Sequence, residues 1–474
     1  MSVIRNFGYN LILTFCSYLF PFITYPYVSR VLGVENIGAC NFIESLINNF
    51  TLVAALGVGT YGVREIAKHN HDLAKRNEIF SNLVAINVVT TLLAVALLVV
   101  CTYSIDSLQP YKEFIWIGIS KLVFTAFLID WFFQGIEKFK YITVSSVLIR
   151  FVYLVCIFLF VKTADDTQLY FALTCGMVVV NAVVNWNYSR SYRKFSFKSL
   201  RVMQYLLPIL IYGMYRVLTS MYTTFNTVFL GFSSGDVEVG YFSTSTKLYT
   251  VILGVFTAFT TVMVPRVSQM IKNKQMEEVQ VISTSVIQFI VITTLPCIIY
   301  CIYNAQEIIA LIAGPGYEGA VSSFRIVIFL LLIIALEQVA IQQILLASDS
   351  KRSIVYVSLT GAVVGISLNF LITPQWGSIG SAIAWGCSEL SVLLVGIWLV
   401  RRYLGLKLYI VRFKDIFSSA LYLLPLAGIH YWVTDGLLRL IVSTVVFALL
   451  LVVINVYMFP NKTIAATFRS LKKD

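Results

Sequence analysis

Eleven ionisable side chains fall inside stretches of this sequence that are otherwise apolar. Seven are basic (Arg30, Lys121, Arg150, Arg216, Lys247, Arg325, Arg439) and four are acidic (Glu44, Asp130, Glu337, Glu389). The planar fork of an arginine suits bidentate contact with phosphate, and a lysine offers a point charge. A carboxyl withdrawn from water can take up a proton and release it later in a conformational cycle. Helical spacing puts Arg216 on one face with Tyr212 and Thr219. Lys247 follows the run Ser243-Thr244-Ser245-Thr246, Arg150 follows Ser145-Ser146, and Arg30 precedes Glu35. Arg30, Arg150, Arg216, Lys247 and Tyr212 are therefore the candidates for contact with an anionic substrate.

The four acids are the candidates for ion coupling. Glu44 lies in a polar stripe with Asn41, Asn48 and Thr51, and Glu337 stands beside Gln338, Gln342 and Gln343. Asp130 comes nine residues after Lys121, which places the two on opposite sides of one helix. For every acid the alternative role is an internal ion pair. Arg325 and Arg439 lie near the ends of apolar stretches, where snorkelling to the interface accounts for them.

Catalytic constellations are missing from the sequence. Eight cysteines sit mostly within apolar runs at no metal-type spacing, and the three histidines have no ligand company. His430 precedes Tyr431-Trp432, as in an interfacial aromatic belt. With neither a nucleotide motif nor a nucleophile triad, the sequence reads as no enzyme, with no cofactor and no metal.

The elements that must position these residues are membrane helices. Hydrophobic residues make up 58% of the 474, charged residues only 12%, and mean hydropathy is +0.83. Soluble proteins are about 25% charged, and repeated apolar runs of about 20 residues indicate spans. Hydropathy predicts about fourteen, at roughly 7–32, 37–62, 80–103, 113–135, 142–162, 168–188, 203–230, 240–264, 281–303, 321–347, 353–373, 379–401, 414–434 and 437–459. The run after Arg5 is too long for a cleavable signal and reads as a retained first helix broken at Pro21 and Pro26. The fold class is all-α and polytopic.

Basic residues choose a side. Of the 35, 26 fall in the termini and in the loops after even-numbered spans, whereas the opposite loops hold only Lys112 and Lys162. The positive-inside rule then puts both termini in the cytoplasm. The net charge of +12 is largely this signal, so nucleic acid is not an expected partner.

An internal repeat appears at an offset of 202 residues. Asn10, Thr14, Ser17, Pro21 and Thr24 share their spacing with Tyr212, Arg216, Thr219, Thr223 and Asn226; Gly38 matches Gly240, and Arg64 matches Arg266. Leu32-Gly33 and Leu230-Gly231 correspond only at 198, which requires a four-residue insertion. Two parallel copies of six spans predict two lobes around a central cavity with alternating access. The lobes would be 1–200 and 201–410, with two further helices and a tail in 411–474.

Three stretches carry a family resemblance: YPYVSRVLGVENIGACNFIESLINNF from residue 25, LGVGTYGVREIAK (56–68) and DWFFQGIEKFKYI (130–142). They resemble the polysaccharide transporter family of the MOP exporter superfamily, and within it the Wzx-type flippases. The motifs fall on Arg30, Gly33, Gly38, Gly57, Gly62, Arg64 and Glu65, then Gln134, Gly135, Glu137 and Lys140. The resemblance implies an inner-membrane protein that moves an undecaprenyl-pyrophosphate-linked oligosaccharide to the outer leaflet for O-antigen or another surface glycan. It also implies a cationic cavity, H+ or Na+ as coupling ion, and a glycan polymerase and chain-length protein as partners alongside membrane lipids. Membrane potential is an alternative drive, because an anion moving outward gains about 2.3 kcal/mol per charge per 100 mV. Other readings are a multidrug or cation antiporter of the superfamily, a flippase for lipid-linked peptidoglycan precursor, and a membrane glycan polymerase. The basic residues disfavour the first, topology leaves the second open, and the short loops disfavour the third.

Overall fold

Backbone groups in hydrocarbon can be satisfied only within a helix or a closed barrel, and this chain takes the helical solution. The computed structural model describes residues 3–195, 200–348, 351–408 and 413–453, with no strand among them. It divides into two compact units, Met1–Gly240 and Tyr241–Asp474.

The first unit contains α1 (Val3–Ala55), α2 (Val58–Lys68), α3 (Leu73–Ser104), α4 (Lys112–Thr125), α5 (Asp130–Gly135), α6 (Phe139–Phe160), α7 (Thr167–Ser189), α8 (Val202–Thr223) and α9 (Phe225–Ser234). Helix α10 (Asp236–Lys272) begins there and continues into the second unit. The second unit continues with α11 (Met276–Tyr303), α12 (Ala305–Ile312), α13 (Ala320–Val327), α14 (Leu330–Glu337), a π-helix (Gln338–Leu345), α15 (Lys351–Leu404), α16 (Phe413–Ala420), α17 (Leu423–Trp432) and α18 (Gly436–Val452).

Eight helical stretches among the described residues are long and apolar enough to cross a bilayer. Two are double length, Gly8–Ala55 with 48 residues and Ser353–Leu404 with 52. A straight helix of that size would run ~70 Å, over twice the hydrocarbon thickness. Each folds back at a glycine instead. In α1 the break is Gly33 (φ 78°, ψ 171°), and in α15 it is Gly377 (φ 53°, ψ −129°).

Side-chain contacts show both reversals. Before Gly33, Thr143 of α6 donates to the Tyr9 carbonyl, Arg150 donates to Ser17, and Tyr27 donates to the Val161 carbonyl. That arm therefore climbs alongside α6. After Gly33, Cys40 reaches the Thr167 carbonyl at the start of α7, and the Ala54 carbonyl accepts from Thr90 of α3. In α15, Ser388 donates to the Gly361 carbonyl and Thr373 meets Ser381 at 3.3 Å.

Two expectations need correction. Pro21 and Pro26 do not break the first helix, which runs through both. The Thr24 hydroxyl donates to the Phe20 and Pro21 carbonyls there. The four-residue insertion in the repeat is also unnecessary. Gly235 caps α9 at φ 84° and ψ 179°, nearly the geometry of Gly33, and it lies at the same offset of 202 as Gly38 and Gly240. Gly33 corresponds to Gly235, not to Gly231. Gly38 and Gly240 are moreover neighbours: a Cβ on Gly38 would stand 1.8 Å from the Asp236 carbonyl oxygen, and one on Gly240 would stand 2.4 Å from that of Val34. Only glycine permits so close a backbone approach.

The expected span 113–135 is interrupted between α4 and α5, and 414–434 between α16 and α17.

Candidate functional site

Charge is segregated by end in the first unit. At one end Arg76 donates to the Tyr192 carbonyl, the Lys194 amide donates to Asn77, and the Arg201 amide donates to Asn82. The basic loops after α2, α5 and α7 thus share one end of the unit. Arg193 lies 3.9 Å from the Trp186 ring centre and 4.4 Å from that of Phe80. Burial, helped by nearby Arg190, pushes its pKa down to about 10. The other end holds Tyr111, which donates to Asp236 at 2.7 Å. Burial raises the Asp236 pKa against the lowering effect of that hydrogen bond.

Three polar groupings form within the two units. The first is an ion pair between α4 and the second arm of α1: Lys121 Nζ lies 2.8 Å from Glu44 Oε1, and their side chains are 12% and 34% exposed. Lys121 thus bonds an acid on another helix, as its separation from Asp130 requires. Tyr153 and Thr174 share a hydrogen bond nearby.

The second grouping joins α5, α6, α7 and the first arm of α1. Asn185 donates to Asp130 Oδ1 at 2.6 Å and to Asn181, while its own carbonyl accepts from Tyr141 at 3.1 Å. Arg150 donates to Ser17 at 2.7 Å and lies near enough to Asp130 for their charges to interact. Arg150 and Asp130 are therefore brought together. Asn185 and Tyr141 complete the network and were missed in the sequence, although Asn181 and Asn185 stand at helical spacing.

The third grouping is in the second unit. Glu337, at the end of α14, and Glu389, in the second arm of α15, lie close enough for their charges to interact. Trp385 donates to Glu389 at 2.9 Å, and Glu389 is only 3% exposed. The π-helix begins immediately after Glu337, and π-helical turns recur at functional sites. It turns Gln338 toward Thr257 and Gln343 toward the Thr260 carbonyl, while Glu337 Oε2, Gln338 Oε1 and Gln343 Oε1 stay buried without a hydrogen-bond partner.

The remaining candidates lie apart. Arg30 is exposed three residues before the Gly33 turn and donates to the Pro26 carbonyl at 2.6 Å. Lys247 is half-buried on α10 in the second unit. The side chains of Tyr212 and Arg216 lie outside the described residues. Arg439 is not a snorkelling cation: its Nη1 lies 2.6 Å from Glu307 Oε1, tying α18 to α12. Arg325 is exposed and donates to the Ile302 carbonyl. None of the eight cysteines forms a disulfide, and Cys387 is exposed.

Among solved structures, the fold is similar to "Lipid II flippase MurJ, inward closed conformation" at a TM-score of 0.76 and 14% identity, covering 94% of this chain and 98% of that one. It is also similar to an inward-facing multidrug resistance MATE family transporter of the MOP superfamily, at 0.60 and 16%, covering 85% and 95%. In sequence it is 25% identical over 407 residues to a protein of Escherichia coli (strain K12) named "Putative O-antigen transporter", covering 85% of this chain and 97% of that one. A Shigella dysenteriae protein of the same name is 22% identical over 394 residues, covering 81% and 98%. The family described as "Polysaccharide biosynthesis protein" matches residues 3–271, more than half the length, and the chain belongs to that family.

Proposed function

We propose that this protein is a flippase for lipid-linked oligosaccharide repeat units, carrying an undecaprenyl-pyrophosphate-linked glycan from the cytoplasmic to the outer leaflet of the inner membrane. The family match over residues 3–271 carries the reading. The full-length similarity to O-antigen transporters and the MurJ-like fold support it. The physical task is to move a pyrophosphate through ~30 Å of hydrocarbon, where unpaired charge is prohibitive. Polar groups held within apolar helices answer that need. The fourteen-span, two-lobe arrangement with cytoplasmic termini belongs to this reading, as do the substrate roles of Arg30, Arg150, Arg216, Lys247 and Tyr212.

Among the acids, Glu337 and Glu389 are the pair we assign to proton coupling. Two carboxyls close together and away from water disfavour carrying two charges, so their approach supports a site that holds one proton and can release it when they separate. Glu44 is assigned a structural role through Lys121, and Asp130 through Asn185.

Complementation tests the function. The gene is introduced into flippase-null strains that assemble defined glycan repeats, and surface glycan is scored. Rescue of at least one strain is expected. Rescue of none, together with acquired drug efflux, would overturn the reading in favour of a multidrug exporter.

A further inference from the structure

A cavity of about 500 Å³ opens at the basic end of the first unit, lined by Lys138 and Lys140, by Tyr141 and Tyr188, and by Val144 and Leu148. It lies outside the three polar groupings, touching one of them only through Tyr141. The two tyrosine rings stack at 3.7 Å and 10° and form a flat wall. That wall is braced from behind: Tyr141 donates to Asn185, and Tyr188 shares a hydrogen bond with Tyr192, over whose ring Lys138 Nζ lies at 5.1 Å. None of the lining residues is acidic. Glu137 is exposed beside Lys138 in the chain and is the nearest acid in sequence. Helix α6 starts at Phe139 with no acid in its first turn, so the positive end of its dipole adds to the two lysines.

The apolar half of the cavity continues outward. Val144 (47% exposed) and Leu148 (58%) begin a strip on α6 that runs on through Val152, Val155 and Leu159, all exposed. Their spacing keeps them on one helix face. A cationic, aromatic-walled cavity thus sits at the head of an apolar strip about as long as an acyl chain.

We infer that this cavity binds an anionic glycerophospholipid, its phosphodiester between Lys138 and Lys140, its glycerol against the stacked tyrosines and one acyl chain along the α6 strip. Charge complementarity selects an anionic head over a zwitterionic one, and the strip selects a lipid over free phosphate. Basic pockets at membrane-helix ends bind acidic lipids by this chemistry.

Native mass spectrometry of the delipidated full-length protein, titrated separately with phosphatidylglycerol and phosphatidylethanolamine, provides the test. The wild type should prefer phosphatidylglycerol. Lys138→Gln with Lys140→Gln should weaken its binding about 30-fold, two lysines' worth of surface attraction. Lys138→Arg with Lys140→Arg should restore it, and Leu148→Ser should weaken both lipids alike. Should the glutamine variant not fold, the wild-type preference and the Leu148→Ser variant still decide. Equal wild-type affinity for the two lipids, or phosphatidylglycerol binding unchanged in the glutamine variant, overturns the assignment. Displacement of phosphatidylglycerol by millimolar inorganic phosphate would mark an anion site without lipid specificity and overturns it too. None of these readouts depends on glycan transport.

Discussion

The Lys121–Glu44 pair separates two roles for an acid within an apolar bundle, and a double-mutant cycle can read them apart. At 2.8 Å and an effective dielectric near 20, the gross attraction is about 6 kcal/mol. Desolvation of both groups offsets much of it, and Glu44, at 34% exposed, is partly screened. A net coupling of about 1–3 kcal/mol follows. Removing one partner costs more, because a charge is then stranded against α1, α4 and α7. Lys121→Met and Glu44→Gln should each destabilise the protein by roughly 2–4 kcal/mol. Combining them should cost about 1–3 kcal/mol less than the sum of the two, since two neutral side chains strand nothing. The assay is thermal unfolding in detergent, run beside glycan export in a flippase-null strain. If the pair is a structural clasp, export follows stability and the double variant transports. Additive destabilisation would refute the clasp. A stable double variant without export would return Glu44 to a coupling role.

Backbone geometry supplies a second test. Gly33→Ala and Gly235→Ala should each cost about 1–3 kcal/mol of stability, as the conformation they share is nearly closed to other residues; matched losses of folded yield are expected, and a loss at one site alone would break the repeat correspondence. Gly38→Ala should abolish folding, because its Cβ would meet the Asp236 carbonyl at 1.8 Å, whereas Gly59→Ala meets nothing within 4 Å and should be neutral or slightly stabilising. Expression and size-exclusion profiles of the two variants decide. Arg439→Ala strands the Glu307 carboxylate and should cost about 3–5 kcal/mol, read as a lower melting temperature that Glu307→Gln in the same chain restores in part. Glu389→Gln keeps an acceptor for the Trp385 indole but removes the titratable carboxyl. Transport by that variant should lose its pH dependence while melting stays close to wild type, and an unaltered pH profile would remove the pair from coupling.

Much of the architecture was legible in the sequence because the bilayer allows so few solutions. Apolar run lengths marked the reversals at Gly33 and Gly377, and the charge of the loops marked which loops share an end: Arg76, Lys194 and Arg201 do meet there. What the sequence hid was partnership. Spacing showed that Lys121 could not bond Asp130, but nothing local names Glu44, 77 residues away in the chain, as its partner. Arg439 was misread for the same reason, since Glu307 lies 132 residues before it. The repeat was misregistered by four residues because Leu-Gly recurs at 230 and 231, and only φ and ψ identify Gly235 as the turn. The π-helix had a faint signal in its cluster of glutamines, but helical widening is a property of packing, with no sequence period of its own.

Four acids of the same chemistry have thus been put to different uses by their neighbours. Glu44 faces a cation, and the pair is nearly neutral as seen from the surrounding apolar residues, so each partner gains by staying put. Asp130 faces an amide and, more distantly, Arg150, an arrangement that fixes α5 against α7 and α6. Glu337 and Glu389 lie close together; an indole N–H bonds Glu389, and Glu337 Oε2 is buried without a hydrogen bond. Among the described residues no cation forms an ion pair with either carboxyl. On the proposed coupling role a proton sits in the pair at rest, and loss of that proton would set two like charges at close range in a medium that screens little. An ion pair resists change, and two carboxyls sharing a proton convert a protonation event into mechanical force between α14 and α15. That physical asymmetry is why the proposed proton coupling is assigned to the second unit, and a fold-holding role to the acids of the first.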